Sequence, residues 1–169
     1  MAGSVEIVEK QDEFTLEINA QASMLMIPKV IGKAYEDLKK FMKQKGIPCE
    51  APPFVKYVNF SWDESTGGNK FLGFFKMFTK KWDMQIGFPV KNDTPGEGSI
   101  KSGKILYGKY IQTLHKGSYQ KVGSTYKILM AYMKENNLKV RNECMETYLN
   151  DPKITKKEDL QTLVVIPLS

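Results

Sequence analysis

The sequence predicts an α+β fold built from two similar βαββ modules. Three observations support this prediction. Residues 30–47 and 121–138 repeat at a constant offset of 91 positions (121 minus 30), and five of the aligned residues are identical. Segments with strand character stand at corresponding places around both repeats. The composition, with 41% hydrophobic and 26% charged residues among 169, is typical of a globular domain.

The two repeated segments predict one amphipathic helix in two copies, because their shared apolar positions follow helical spacing. Pro28 suits the first turn of the first helix, and Ser118 is a good N-cap for the second. Gly46 and Asn137 align with each other and are the residue types that best accept the left-handed conformation after a helix. The identical pairs are Gly32/Gly123, Tyr35/Tyr126, Leu38/Leu129, Met42/Met133 and Lys43/Lys134.

Strand-like segments surround each predicted helix. FTLEIN (14–19) and ILYGKYIQTL (105–114) precede the two helices. The second and third strands of the modules align at offsets of 91 and 78 (166 minus 88), namely 56–59 with 147–150 and 88–90 with 166–168. The Gly/Pro-containing residues 91–103 are predicted to be a linker. We therefore expect a single domain over 1–169, with modules at about 13–90 and 104–168 and a ligand groove between them.

Charge and composition argue against several classes of function. The net charge is +6, but the lysines are dispersed and Arg141 is the only arginine, so we expect no direct nucleic-acid binding. The chain lacks the run of about 18 apolar residues that a membrane helix needs, and its N-terminus lacks the apolar stretch of a signal peptide, so we expect a cytoplasmic protein. Cys49 and Cys144 stand far apart beside a single histidine, so we expect neither metal nor cofactor. Monomer and homodimer both remain open.

Glu146 is the unusual residue of the second module. If 143–152 contains a strand, Cys144, Glu146 and Tyr148 share one face. In the repeat, Tyr148 aligns with Tyr57, whereas Glu146 aligns with Val55. A buried carboxylate is costly unless it has a partner, but glutamate is more often exposed. The pattern alone leaves a buried, partnered Glu146 and an exposed one equally open.

The second half of the chain resembles the GyrI-like effector-binding domain, which is also the ligand-binding domain of BmrR-type multidrug-sensing regulators and of some AraC-type activators. The resemblance is carried by an H-x-G-x-Y motif at His115, Gly117 and Tyr119, and by an E-x-Y-x-N-D-P strand over 146–152. A final strand ending in I-P-L completes it. The first half is similar only through VKYVNFSW and the internal repeat.

This resemblance implies a pseudo-twofold pair of βαββ modules with a ligand groove between them. It also implies that Glu146 lies in an aromatic pocket and pairs with lipophilic cations, whose charge ring faces would further stabilise. The structural alternative for each candidate pocket aromatic is ordinary core packing. These candidates are Tyr148, Tyr57, Tyr110, Trp62, Trp82 and Phe75.

The Phe-rich segment 69–82, which contains Phe75, has roughly helical spacing of its aromatic residues. It is predicted to be a packing element or a lid over the groove, and a partner or membrane surface is the less favoured alternative. His115 is the only histidine, and its place between a strand and a helix favours a structural hydrogen bond over catalysis.

Three functions follow, in order of preference. The first is a stand-alone small-molecule binder for lipophilic, cationic or flat aromatic compounds. The second, implied by the resemblance to stand-alone GyrI-like hydrolases, is the opening of strained cyclopropane-type electrophiles. There Glu146 would serve as general base and Tyr110 or Tyr148 as proton donor. The third is a protein-interaction module of the gyrase-inhibitory type.

Overall fold

The computed structural model describes residues 3–60, 62 and 81–169. Within these residues, eight β-strands and two α-helices follow in chain order: β1 (Glu6–Lys10), β2 (Glu13–Ser23), α1 (Ile27–Gln44), β3 (Phe54–Tyr57), β4 (Lys81–Val90), β5 (Ile100–Ile105), β6 (Gly108–Lys116), α2 (Val122–Glu135), β7 (Cys144–Tyr148) and β8 (Gln161–Pro167). The predicted order strand–helix–strand–strand therefore occurs twice, as β2–α1–β3–β4 and as β6–α2–β7–β8.

The described strands form one antiparallel sheet in the order β1-β6-β8-β7-β3-β4-β2-β5. This order reads the same from both ends when β1 is exchanged with β5, β2 with β6, β3 with β7 and β4 with β8. Such an arrangement is the one expected of two copies related by a twofold rotation. The predicted α+β class is confirmed, and β3 and β7 lie at the centre of the sheet.

The register between the two central strands places Glu146 on the seam between the modules. In the β3–β7 pair, Val55 lies directly opposite Glu146, and Phe54 lies opposite Thr147. Val55 and Glu146 are also the aligned residues of the repeat, since 55 plus 91 is 146. Each is therefore the cross-strand neighbour of its own counterpart, which is where a twofold axis would pass through the sheet.

Both helices pack on the face of the sheet that carries Val55 and Glu146. Two apolar clusters lie beneath them, one including Leu38 of α1 and the other Leu129 of α2. The helix ends match in detail. Gly46 and Asn137 have φ of 66° and 50°. The next N–H groups bond back to the helices, Ile47 to Met42 O at 2.8 Å and Leu138 to Met133 O at 2.9 Å.

Four details differ from the sequence-based predictions. β5 occupies the end of the predicted linker and pairs with β2, and β1, which was not predicted, pairs with β6. Both are edge strands whose pairing depends on a partner distant in sequence. The predicted strand 105–114 is divided, because β5 ends at Ile105 and β6 begins at Gly108. Ser118 is not the N-cap of α2, since a 3₁₀ turn over Tyr119–Lys121 intervenes and the Ser118 side chain makes no capping bond.

The other face of the sheet carries a third apolar cluster, formed by Phe54, Ile105, Tyr110, Met145 and Val165. Neither of the two helices in the described part of the chain combines the length and the apolar character that a membrane span requires.

Candidate functional site

Glu146 is buried on the helix side of the sheet. It lies on β7 between Cys144 and Tyr148, and only 8% of its surface is exposed. Its cross-strand neighbours are apolar, Val55 on β3 and Val164 on β8. Of the two alternatives that the sequence pattern left open, the structure therefore has the buried carboxylate.

Two tyrosines of the second module hold this carboxylate. Tyr126 on α2 donates its hydroxyl proton to Oε1 at 2.7 Å, and Tyr148 on β7 donates to Oε2 at 2.9 Å. The Tyr126 hydroxyl also lies 3.5 Å from Cys144 Sγ. Among the described residues, no lysine or arginine forms an ion pair with Glu146, so its hydrogen-bond partners are neutral. The site thus offers a buried carboxylate that no lysine or arginine among the described residues neutralises.

The electrostatics of the site reflect this burial. Loss of hydration raises the pKa of Glu146, while the hydrogen bonds from Tyr126 and Tyr148 and the nearby His115 act in the opposite direction without cancelling the rise. Burial and the Glu146 charge also raise the pKa of Tyr148 well above its usual value, so that this phenol keeps its proton. An external cation at this place would favour the ionised carboxylate.

His115 has a structural position beside the site. Its Nδ1 lies 2.7 Å from the Thr125 hydroxyl oxygen, and its Nε2 lies 3.1 Å from the carbonyl oxygen of Ser118. Both ring nitrogens are therefore used in holding β6 to the start of α2, as the structural interpretation expected. Gly117 follows with a φ of 128°, a backbone conformation that favours glycine.

An aromatic cluster extends from the carboxylate along the central strands. Phe60 connects its members, because its ring centroid lies 4.3 Å from Trp62, 5.7 Å from Trp82 and 5.6 Å from Tyr126, with which it is stacked. Tyr57 meets Trp82 edge to face at 5.9 Å. The Trp62 indole N–H also donates to the Arg141 carbonyl oxygen at 2.8 Å.

A second group of ring contacts borders the site. Tyr119 meets Tyr148 at 5.3 Å, and Tyr35 on α1 meets Phe88 at 5.4 Å, both edge to face. Tyr35 and Tyr148 pack against the same apolar cluster beneath α1. Tyrosines from both modules are thus gathered on the side of the sheet where Glu146 lies.

Four of the predicted pocket aromatics lie on the side of the sheet that carries Glu146, namely Tyr57, Trp62, Trp82 and Tyr148. Phe75 and most of the predicted lid, 69–80, lie outside the described residues. Tyr110 is not brought to the site: it belongs to the cluster on the opposite face, and its hydroxyl donates to the Leu106 carbonyl oxygen at 2.6 Å. Its grouping with Glu146 therefore needs correction, because the sheet separates the two side chains.

Sequence reasoning missed Tyr35, Tyr126 and Phe60 as members of the site. The repeat contained the relevant signal, because Tyr35 and Tyr126 are identical aligned residues on the helix face predicted to be apolar. They were read as core positions, although a tyrosine there brings a hydroxyl that has to find a partner. Phe60 stands two positions before Trp62, within VKYVNFSW.

Open depressions occur elsewhere in the described structure. One of about 300 Å³ lies at the β1–β2 turn, and one of about 180 Å³ lies on the opposite face, where Phe54, Met145 and Leu163 help to line it. Neither contains a charged group as buried as Glu146, and chemistry rather than size favours the Glu146 site. No group of metal-binding side chains occurs within residues 3–60, 62 and 81–169.

Comparison with known proteins identifies relatives of the whole domain. Residues 15–169 match the model of the GyrI-like small molecule binding domain family. The chain superimposes on EcmrR in its DNA complex with a TM-score of 0.78 and 17% identity, covering 98% of this chain and 57% of EcmrR. It thus spans little more than half of that protein, and it covers 97% of the separate EcmrR C-terminal domain with a TM-score of 0.74.

Two further structures share the fold. A hydrolase encoded by lin2189 from Listeria innocua has a TM-score of 0.65 and 14% identity, with 98% of this chain and 91% of that chain covered. SAV2435, solved bound to tetraphenylphosphonium, has a TM-score of 0.65 and 11% identity, with 99% and 94% covered. At these identities the similarity shows the fold alone. No curated protein matches the chain.

Proposed function

The chain belongs to the GyrI-like small-molecule-binding family, and on this premise we propose that it captures lipophilic organic cations, including flat aromatic ones, at Glu146. One observation carries the proposal. The Glu146 carboxylate is buried, both of its oxygens accept tyrosine hydroxyls, and no lysine or arginine among the described residues neutralises it. A bound cation would supply the missing charge.

The physical argument rests on the cost of a buried charge. A carboxylate removed from water loses hydration that two neutral hydrogen bonds restore only in part. A delocalised organic cation loses less hydration than an ammonium ion on entering such a site, and it gains the Coulomb attraction of Glu146. Aromatic faces such as that of Phe60 add about 0.5–2 kcal/mol each through cation–π contact. Because the counterpart of Glu146 is Val55, the seam contains a single carboxylate and should take one cation per chain.

The enclosed state of the carboxylate sets a further requirement. With 8% of Glu146 exposed, a ligand reaches it only when neighbouring rings or hydroxyls move. The apparent affinity is then the intrinsic affinity multiplied by the fraction of molecules in this open state. That SAV2435 was solved with tetraphenylphosphonium supports the choice of ligand class, since a protein of the same fold accommodates a lipophilic cation.

Titration with tetraphenylphosphonium and with a planar cationic dye, comparing wild type with Glu146→Gln, tests this function. Glutamine keeps the size of the side chain and can still bond to Tyr126 and Tyr148, so the substitution removes little besides the charge. We expect saturable binding with one site, weakened at least about tenfold in the variant, which corresponds to about 1.4 kcal/mol.

The matched control is Glu143→Gln, the same substitution three positions earlier. Glu143 is a more exposed side chain that lies 3.8 Å from the Arg141 guanidinium. It should leave the dissociation constant unchanged. Equal affinity of wild type and Glu146→Gln, or no binding by either, would contradict the proposal and favour the protein-interaction function.

A second candidate function is hydrolysis of strained cyclopropane-type electrophiles. The observation that favours it is a carboxyl group with a raised pKa next to two phenols that keep their protons. Glu146 would take a proton from water as the water oxygen bonds to the cyclopropane carbon. The electrons of the broken carbon–carbon bond would pass to the conjugated carbonyl, which would be protonated by Tyr148. The proton on Glu146 would then return to the Tyr148 phenolate oxygen, which lies 2.9 Å from Glu146 Oε2. Loss of substrate over hours with wild type, absent with Glu146→Gln, separates turnover from simple binding.

A further inference from the structure

The Tyr35 hydroxyl is buried and has no hydrogen-bond partner among the described residues. Its ring is well held, packing against Phe88 and against the apolar cluster that Tyr57 and Tyr148 also join. A buried hydroxyl without a partner destabilises the folded chain, and phenylalanine would fill the same space without that penalty. The hydroxyl therefore calls for an explanation other than packing.

The duplication explains why this hydroxyl lacks an internal acceptor. Tyr35 on α1 is the counterpart of Tyr126 on α2, and Tyr126 donates to Glu146. The residue of the first module that corresponds to Glu146 is Val55, which has no side-chain acceptor. One module thus pairs its tyrosine with a carboxylate, whereas the equivalent hydroxyl of the other module has no hydrogen-bond partner among the described residues.

The Tyr35 hydroxyl also lies within the electrostatic field of Glu146. Burial raises the pKa of Tyr35, and the negative charge of Glu146 adds to the rise. The phenol is therefore neutral and keeps its proton. Near a carboxylate, an approaching molecule is favoured when it presents a positively polarised group. The Tyr35 oxygen can then accept a hydrogen bond from such a group.

We propose that Tyr35 is a specificity-determining residue of the Glu146 site, and that the ligand carries an N–H donor for its hydroxyl in addition to a positive charge. This inference rests on the proposed function and narrows the ligand to aromatic cations with amino or amidinium groups. A cation without N–H groups, such as tetraphenylphosphonium, would satisfy Glu146 but leave the Tyr35 hydroxyl unpaired.

Two dyes with the same ring system and charge test the inference. Proflavine is used as its 10-methylacridinium, with two primary amino groups, and acridine orange, likewise methylated at the ring nitrogen, carries two dimethylamino groups at the same positions and has no N–H donor. We expect Tyr35→Phe to weaken proflavine binding about three- to tenfold, the value of one hydrogen bond, and to leave acridine orange binding unchanged. For each dye, the dissociation constant of Tyr35→Phe is divided by that of wild type, and these two ratios are then compared. The larger size of the dimethylamino groups therefore cancels.

The control is Tyr107→Phe, the same change at an exposed tyrosine whose hydroxyl donates to Glu9 at 2.6 Å. It should alter neither dissociation constant. Thermal unfolding gives an independent readout, since Tyr35→Phe should keep or raise the melting temperature if the hydroxyl has no partner in the free protein.

The outcomes separate this inference from the function it rests on. If both dyes bind wild type and weaken in Glu146→Gln, but Tyr35→Phe changes both equally or neither, the N–H requirement is wrong and the proposed function stands. A lower melting temperature for Tyr35→Phe would show that the hydroxyl already has an internal partner, and would overturn the inference. Failure of both dyes to bind wild type would refute the proposed function and this inference together.

Discussion

Replacing Tyr126 by phenylalanine should reveal how far the buried carboxylate depends on its tyrosine donors. The substitution keeps the ring that stacks on Phe60 and removes only the hydroxyl that donates to Glu146 Oε1 at 2.7 Å. That distance is ordinary for an O–H···O bond and lies at the upper end of the range for an ionised acceptor. The oxygen left behind is buried, so the lost bond is not readily replaced by bulk water.

The expected size of the effect follows from the charge of the acceptor. A hydrogen bond to a charged group contributes about 1.5–3 kcal/mol, against about 0.5–1.5 kcal/mol for a neutral one. In a domain of this length, 1 kcal/mol shifts the melting temperature by about 2–4 °C, so Tyr126→Phe should lower it by about 3–12 °C. Tyr148→Phe should cost less, because its bond of 2.9 Å is longer.

A double-mutant cycle identifies the carboxylate as the source of the effect. Thermal and urea unfolding would be measured at neutral pH for wild type, Tyr126→Phe, Glu146→Gln and the double variant. In the Glu146→Gln background the acceptor is neutral, so Tyr126→Phe should cost about 1 kcal/mol less than in wild type. Tyr132→Phe, the same change further along α2, serves as the matched control.

Two results would refute this reasoning. Equal costs of Tyr126→Phe in both backgrounds would mean that the hydroxyl contributes nothing specific to the ionised carboxylate. A cost below about 0.5 kcal/mol in wild type, within the range of ordinary surface substitutions, would mean that the bond is not formed in solution.

Two further predictions concern pH and close packing. Because the folded-state pKa of Glu146 is raised above its ordinary value of 4.5, the folded chain holds this proton more tightly than the unfolded chain. Ionising Glu146 therefore destabilises the folded chain. This destabilisation is absent below the pKa that Glu146 has in the unfolded chain, and it is complete above the pKa that it has in the folded chain. The melting temperature of Glu146→Gln relative to wild type should therefore rise with pH between these two pKa values and then level off. A difference that does not change between about pH 4 and pH 8 would contradict this. Gly87→Ala should lower the free energy of unfolding by about 1–3 kcal/mol, because a Cβ there would lie 2.6 Å from the Leu16 carbonyl oxygen and 2.8 Å from Phe54 Cζ. Gly32→Ala, where a Cβ meets nothing within 4 Å, should instead stabilise α1 by up to about 1 kcal/mol, and equal effects at the two glycines would exclude the close-packing explanation.

Local sequence patterns were enough to predict the α+β class, the paired helices and the left-handed residues that end them. Those features depend on local periodicity and on backbone preferences, which a repeated pattern displays twice. The sequence also marked Glu146 as anomalous, because the repeat supplied a direct comparison with Val55. The edge strands β1 and β5 escaped prediction because their formation depends on hydrogen bonds to distant partners rather than on their own pattern.

Which side chains meet at Glu146 depends on how the strands and helices pack, and no local pattern shows it. The alternation of side chains shows which residues of one strand share a face of the sheet. To compare residues on two strands, the register of each with the strand between them must also be known. Tyr110 pairs with Pro167 and Glu146 with Val164 on β8, and because these partners are three positions apart they project from opposite faces. For the same reason the hydrogen-bond donor Tyr126 could not be predicted from the sequence, since it reaches Glu146 from a helix that packs across the sheet. Packing of that helix, and not any property of its own sequence, converts an apolar-face tyrosine into a partner for a buried charge.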